Sequence, residues 1–195
     1  MLHSSDHRHL LETTLGAGAL AERPHLFSAT RVTLPGAAYA QITDFVSAVT
    51  DVISRPNYQA AVNERDALAL AVMPPGVCLA FDFHVGSAAP QLIEINTNAG
   101  GSLLVTLLER AWGNQAAADQ AEAALLQMFR DEWAAWPCGR PLQTIVIVDE
   151  APEQQYLYPE FVRWQKLFEA HGINTRICAP EQLRCDEVGG LWLGD

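Results

Sequence analysis

Two neighbouring stretches of this sequence set hard oxygen donors at spacings from which a cation centre can be built. Phe81, Phe83 and Val85 alternate with Asp82 and His84, and Ile93 and Ile95 alternate with Leu92, Glu94 and Asn96. This is the period of half-buried strands, whose successive side chains point to opposite faces. Gly86 to Pro90 is rich in turn formers and joins the two arms into a hairpin. The two apolar rows must share a face, because a one-residue slip would send a whole row to the polar side. Asp82, His84, Glu94 and Asn96 are therefore expected together on the other face. With residues 86–90 as the loop, Val85 falls opposite Gln91 and Asp82 opposite Glu94, with side-chain carbons roughly 5 Å apart. Directly opposed carboxylates repel unless a cation lies between them. Two carboxylates and the amide oxygen of Asn96 suit a hard divalent ion such as Mg²⁺ or Mn²⁺, which keeps several waters and takes its remaining ligands from phosphate. A solvated polar face, with the carboxylates apart or one protonated, is the alternative reading. His84 is either a partner of the metal carboxylates or a satisfied strand histidine, the second being preferred.

The hairpin runs on into Thr97-Asn98-Ala99-Gly100-Gly101 and then a helix. Paired glycines ahead of a helix leave backbone N–H groups free to meet an anion, so Gly100 and Gly101 are candidates for holding a phosphate or carboxylate, the alternative being that they are ordinary turn formers. Asn98 either assists them or shapes the turn.

The run Asp82-Phe-His84, a turn, and Leu-Ile-Glu94-Ile-Asn96-Thr-Asn-Ala-Gly-Gly resembles the metal-binding segment of the ATP-grasp superfamily, in particular its circularly permuted, glutathionylspermidine synthase-like branch. The resemblance implies that Asp82, Glu94 and Asn96 hold the Mg²⁺ bound to ATP phosphates. It further implies a carboxylate–amine ligase that works through an acyl phosphate, with a small-molecule carboxylate and an amine as partners. It covers roughly residues 24 to 195, is specific at 81–101 and is diffuse elsewhere. Its lysines for the α- and β-phosphates would lie outside this sequence, whose single lysine, Lys166, is expected on the solvent side of its helix. The 195-residue chain alone is therefore expected to bind ATP·Mg²⁺ poorly and to release no phosphate.

Around these residues the pattern predicts an α/β fold, in which an α+β ATP-grasp-like part precedes a small Rossmann-like βαβ part. Residues 1–23 read as a flexible tail, whose His3, His7, His9 and Asp6 are more simply unliganded. Residues 24–137 form the first part, with a strand at Leu26–Leu34 and a helix after Pro35-Gly36 carrying Ile42, Phe45, Val46, Val49, Val52 and Ile53 on one stripe. A second helix spans Tyr58–Val72 and stops at Pro74-Pro75-Gly76. Ser102 is expected to cap the helix Leu103–Trp112, and Gln115–Trp136 to form a long helix burying Leu125, Met128, Phe129 and Trp133. Residues 138–141 are a linker of helix breakers. In residues 142–195, Ile145–Val148 is a continuous apolar run expected to be a parallel strand covered on both faces. Pro159 opens a helix burying Phe161, Trp164, Leu167 and Phe168, Gly172 closes it, and Thr175–Cys178 is the returning strand. A further strand, Leu191–Leu193, gives the chain the look of a truncated one. The turn holding Asp149, Glu150 and Glu153 is too acidic for a pyrophosphate and lacks GxGxxG; it would suit an amine but reads more simply as a solvated loop.

Composition narrows the classes. Hydrophobic residues at 49% and charged residues at 18% describe a globular chain. A net charge of −11 without clustered Lys or Arg argues against nucleic acid as a partner. Cys78, Cys138, Cys178 and Cys185 form no CxxC pair and read as thiols of a reducing cytoplasm. Neither a secretory signal nor an apolar run of about 20 residues is present, so no membrane association is expected. A non-catalytic α/β module that binds a metal or small ligand is the second functional reading.

Overall fold

The computed structural model describes residues 5–15, 18–28, 32–63, 76–86, 89–136, 139–187 and 190–194. Within them the chain is a mixed α/β protein, folded as two compact units. One comprises residues 1–30 with 100–195, the other residues 31–99.

The larger unit begins with helix α1 (Ser5–Leu15) and the short α2 (Ala19–Glu22). Residues 5–15 and 18–23 are thus not the free tail that the polarity of this stretch suggests. Leu11 is 5% exposed and packs with Leu107 and Ala111, with Leu15, Leu20 and Phe27 closing over them. His3 and the side chains of Asp6 and His7 lie outside the described residues. The strand expected at 26–34 does not form at Leu26–Ser28, where the Leu26 N–H donates to the Arg23 carbonyl in a turn, nor at 32–34. Residues 29–31 lie outside the description.

Helix α5 (Ser102–Ala111) buries Leu103, Leu104, Thr106, Leu107 and Ala111, and Gly113 beyond it takes φ 84°. α6 (Gln115–Ala135) buries Ala118 and Leu126. Its expected inward row is turned by about one residue: Leu125, Met128 and Phe129 are half-buried and Trp133 is exposed. Strand β3 (Thr144–Val148), helix α7 (Tyr158–Ala170) and strand β4 (Asn174–Cys178) form the expected βαβ unit, with β3 and β4 parallel. The α7 stripe works as its period predicts. Phe168 is 1% exposed and Trp164 8%, and both rings meet Phe129 of α6 with centroids 5.0 and 5.1 Å away. β3 is less covered than four successive apolar residues imply, for Ile145, Val146 and Ile147 are half-buried and Val148 is exposed. Among the described residues its sheet has two strands, so β3 has the single neighbour β4, and it is β4 on which α7 packs. β5 (Leu183–Cys185) and β6 (Leu191–Leu193) close the unit as an antiparallel ribbon.

Breakers do end α6, but the expected domain boundary at 138–141 is not one. The aromatic cluster of α6 and α7 spans it, because the apolar faces on either side complete a single core. Pro137 and Cys138 themselves lie outside the described residues.

The unit of residues 31–99 holds α3 (Gly36–Ile53), α4 (Pro56–Asn63) and the antiparallel hairpin β1 (Ala80–His84) and β2 (Gln91–Asn96). The helix expected to reach Val72 is described only to Asn63. Phe83 of β1 meets Phe45 of α3 edge to face, with centroids 5.6 Å apart at 89°. None of the described residues of this unit is buried.

Candidate metal centre

The hairpin pairs Asp82 with Glu94, as the shared-face argument requires. The route to that register differs at the loop. His84, not Val85, faces Gln91, Phe83 faces Leu92, and Ile93 is the extra residue of a bulge between Phe83 and Asp82. The bulge exchanges the residue that joins the apolar row: Leu92 pairs with Phe83, whereas Ile93 is 65% exposed. Beyond it Phe81 faces Ile95 and Ala80 faces Asn96, so Asp82, Glu94 and Asn96 share one face.

All three side chains meet. The Asn96 amide nitrogen donates to Asp82 Oδ2 at 3.3 Å and to Glu94 Oε1 at 3.1 Å. Two carboxylate oxygens thus converge on one point, and an amide dipole lies between groups that would otherwise repel. The amide N–H atoms are what a carboxylate pair accepts from when no cation is present. Turning the amide over presents its oxygen instead, and the donor set becomes three hard oxygens, which is the chemistry of a Mg²⁺ or Mn²⁺ site completed by water and phosphate. Asp82 and Glu94 are exposed and Asn96 is half-buried, so such a cation would keep access to solvent ligands. His84 lies on the same strand face, exposed. Where the loop leaves the hairpin, the Ala99 N–H donates to the Cys78 carbonyl at 2.9 Å, and the exposed Asn98 sits in the turn so fixed.

The anion at the two glycines is a carboxylate of the chain itself. The Glu160 carboxylate, on the first turn of α7, accepts from the Gly101 N–H through one oxygen and from the Leu103 N–H at 2.9 Å through the other. It therefore caps α5 in place of Ser102, which is the first helical residue. A Cβ on Gly100 would lie 2.6 Å from Leu157 Cδ1 and 3.2 Å from Glu160 Oε2, and Gly101 adopts φ 103°. Gly101 supplies the left-handed turn that points its N–H at the carboxylate, and Gly100 leaves room for Leu157 and Glu160 beside it. Glu160 is 1% exposed, and burial pushes its carboxyl above the ordinary value, against the pull of the Gly101 and Leu103 amides and of Arg163.

Glu160 belongs to an ionic cluster that residue spacing did not reveal. Arg110 of α5 bonds Asp119 and Glu122 of α6 at 2.6 Å each, Arg163 of α7 bonds Glu122 at 3.0 Å, and Thr106 donates to Glu122 at 2.9 Å. The Arg163 Nε is buried without a hydrogen-bond partner, and burial lowers that guanidinium's affinity for its proton. The one local signal was Glu160 and Arg163 three apart in α7, interleaved with Phe161, Val162 and Trp164.

The acidic turn after β3 is tied down from within the same unit. The Asp149 side chain accepts from the Glu150 N–H at 2.8 Å, Gln155 donates to the Glu150 carbonyl at 2.6 Å, and Arg23 donates to the Tyr156 carbonyl at 3.1 Å. Lys166 is exposed, as its helical phase predicts. Among the described residues no three His, Cys, Asp or Glu side chains gather as metal ligands, which leaves Asp82, Glu94 and the Asn96 amide as the cation candidate. No described helix is long and apolar enough to cross a membrane. The chain matches no family model, no curated protein and no solved structure.

Proposed function

We propose that this chain is part of an ATP- and Mg²⁺-dependent carboxylate–amine ligase of the ATP-grasp type, similar to the glutathionylspermidine synthase-like branch and working in the cytoplasm. The observation that carries the reading is the convergence of Asp82 and Glu94 on the Asn96 amide, on one face of a hairpin. In this role Asp82, Glu94 and the Asn96 amide oxygen hold the ion. Bound there, Mg²⁺ would neutralise the phosphate that passes to the substrate carboxylate before the amine displaces it. Asn98 would lie beside the nucleotide phosphates. The free thiols of Cys178 and Cys185 agree with a reducing compartment.

A second reading, a non-catalytic module that binds a metal or small ligand, is favoured by a specific observation. The backbone amides of Gly101 and Leu103, which a nucleotide phosphate would need, are taken by Glu160.

Calorimetry with Mn²⁺ tests the cation site on which the ligase depends. Wild type should give a saturable heat that Asp82→Ala combined with Glu94→Ala abolishes; equal heats from the two proteins would overturn the ligase and leave the module as a binder of a small ligand. Phosphate release from ATP, assayed with candidate carboxylates and amines in a longer chain, separates them. Release that depends on Glu94 supports the ligase, and Mn²⁺ binding without release supports the module.

A further inference from the structure

The Glu160 cluster is short of positive charge. Three carboxylates, Asp119, Glu122 and Glu160, gather round two guanidinium groups, Arg110 and Arg163. Both guanidinium groups make their ion pairs with Glu122 or Asp119. Glu160, the most buried of the three acids, is held by the backbone amides of Gly101 and Leu103, with Arg163 acting on it through space. Burial makes the charged form of Glu160 costly, so this carboxyl holds its proton more tightly than one in water, against the pull of the two amides and of Arg163.

Protonation has a geometric consequence. An ionised carboxylate offers acceptor sites on both oxygens, whereas a carboxylic acid has turned one of them into a donor. Both partners of Glu160 at the start of α5 are N–H groups, and neither can receive that donor. One of the two bonds must weaken. We propose that Glu160 is a proton-linked clamp on the first turn of α5, which grips Gly101 and Leu103 together when ionised and gives up one of them on mild acidification. The clamped residues begin the segment through which the chain enters its larger unit from residues 31–99. The inference does not depend on metal or nucleotide binding.

The global effect has the opposite sign from the local one. The Glu160 carboxyl holds its proton more tightly in the folded chain than its ordinary value of 4.5. Between 4.5 and the folded value the native state binds a proton that the unfolded chain has lost, so this group's contribution to stability falls as pH rises across that window and is constant above it. Acidification into the window thus loosens one turn while favouring the fold.

The test is an NMR titration of the 195-residue chain that follows the Glu160 side-chain carboxyl carbon and the Gly101 and Leu103 amide nitrogens. The carboxyl should titrate above 4.5, and at least one of the two amides should shift with the same midpoint. In Glu160→Gln both amides should be flat over that range, and the Tm of wild type should rise relative to that of this variant as pH falls. A carboxyl midpoint at or below 4.5, or amides that ignore it, would overturn the clamp, and the wild-type titration decides this even if the variant does not fold.

Discussion

The two units treat their charges in opposite ways. In residues 100–195 acids and guanidinium groups turn inward and pair across α5, α6 and α7, beside a core in which Phe168, Leu103 and Leu107 are each 1% exposed. In residues 31–99 the described side chains are all at least partly exposed, and the carboxylates Asp82 and Glu94 face outward with only an amide between them. Charges that are already paired and buried specify a fold, while converging acids left at the surface retain the capacity to bind something. The unit with the stronger core is for that reason the poorer candidate for ligand chemistry.

The largest expected effect comes from the core. All five tryptophans lie in residues 100–195, so tryptophan fluorescence follows the unfolding of that unit. Phe168→Ala removes a ring that contacts Phe129 and Trp164 and should cost about 3–5 kcal/mol in urea unfolding read this way. A loss below about 1 kcal/mol would mean that the site collapses freely and that the contrast between units is overstated. Glu122→Ala should come next, at about 2–3 kcal/mol, because it strands Arg110 and Arg163 in a partly buried setting. If combining it with Arg163→Ala restores much of the loss, the cost lay in the stranded charge. The smallest effect belongs to the hairpin. Phe83→Ala loses one edge-to-face pair with Phe45 and should cost about 1 kcal/mol, seen as faster amide exchange in β1 and β2. The fluorescence curve should not move, and a clear shift would show that the two units unfold together.

The sequence was most legible where structure follows from short-range periodicity. Alternation located the hairpin and opposed Asp82 to Glu94, and the helical phase of α7 placed Trp164 and Phe168 inward and Lys166 outward. It was least legible where the partner is remote. Gly100-Gly101 announces that something approaches the backbone closely but does not say whether it is a phosphate or Glu160, 59 residues along the chain from Gly101. Polar residues around Leu11 concealed a helix that exists because Leu107 and Ala111 cover it. The same limit applies to the breakers of the sequence from Pro137 to Pro141, which follow the end of α6 without telling whether the core ends there too.

The bulge at Ile93 has a consequence for how the hairpin could vary. It divides the ladder into two blocks, with His84–Gln91 and Phe83–Leu92 beside the loop and Asp82–Glu94, Phe81–Ile95 and Ala80–Asn96 beyond it. A continuous ladder would tie the loop's length to the parity of every pair, so that one inserted residue would turn Glu94 toward the phenylalanines. Here the extra residue works as a slip joint. Insertions and deletions near the tip can be taken up at Ile93, and the separation of Asp82 from Glu94 is free of the loop's history.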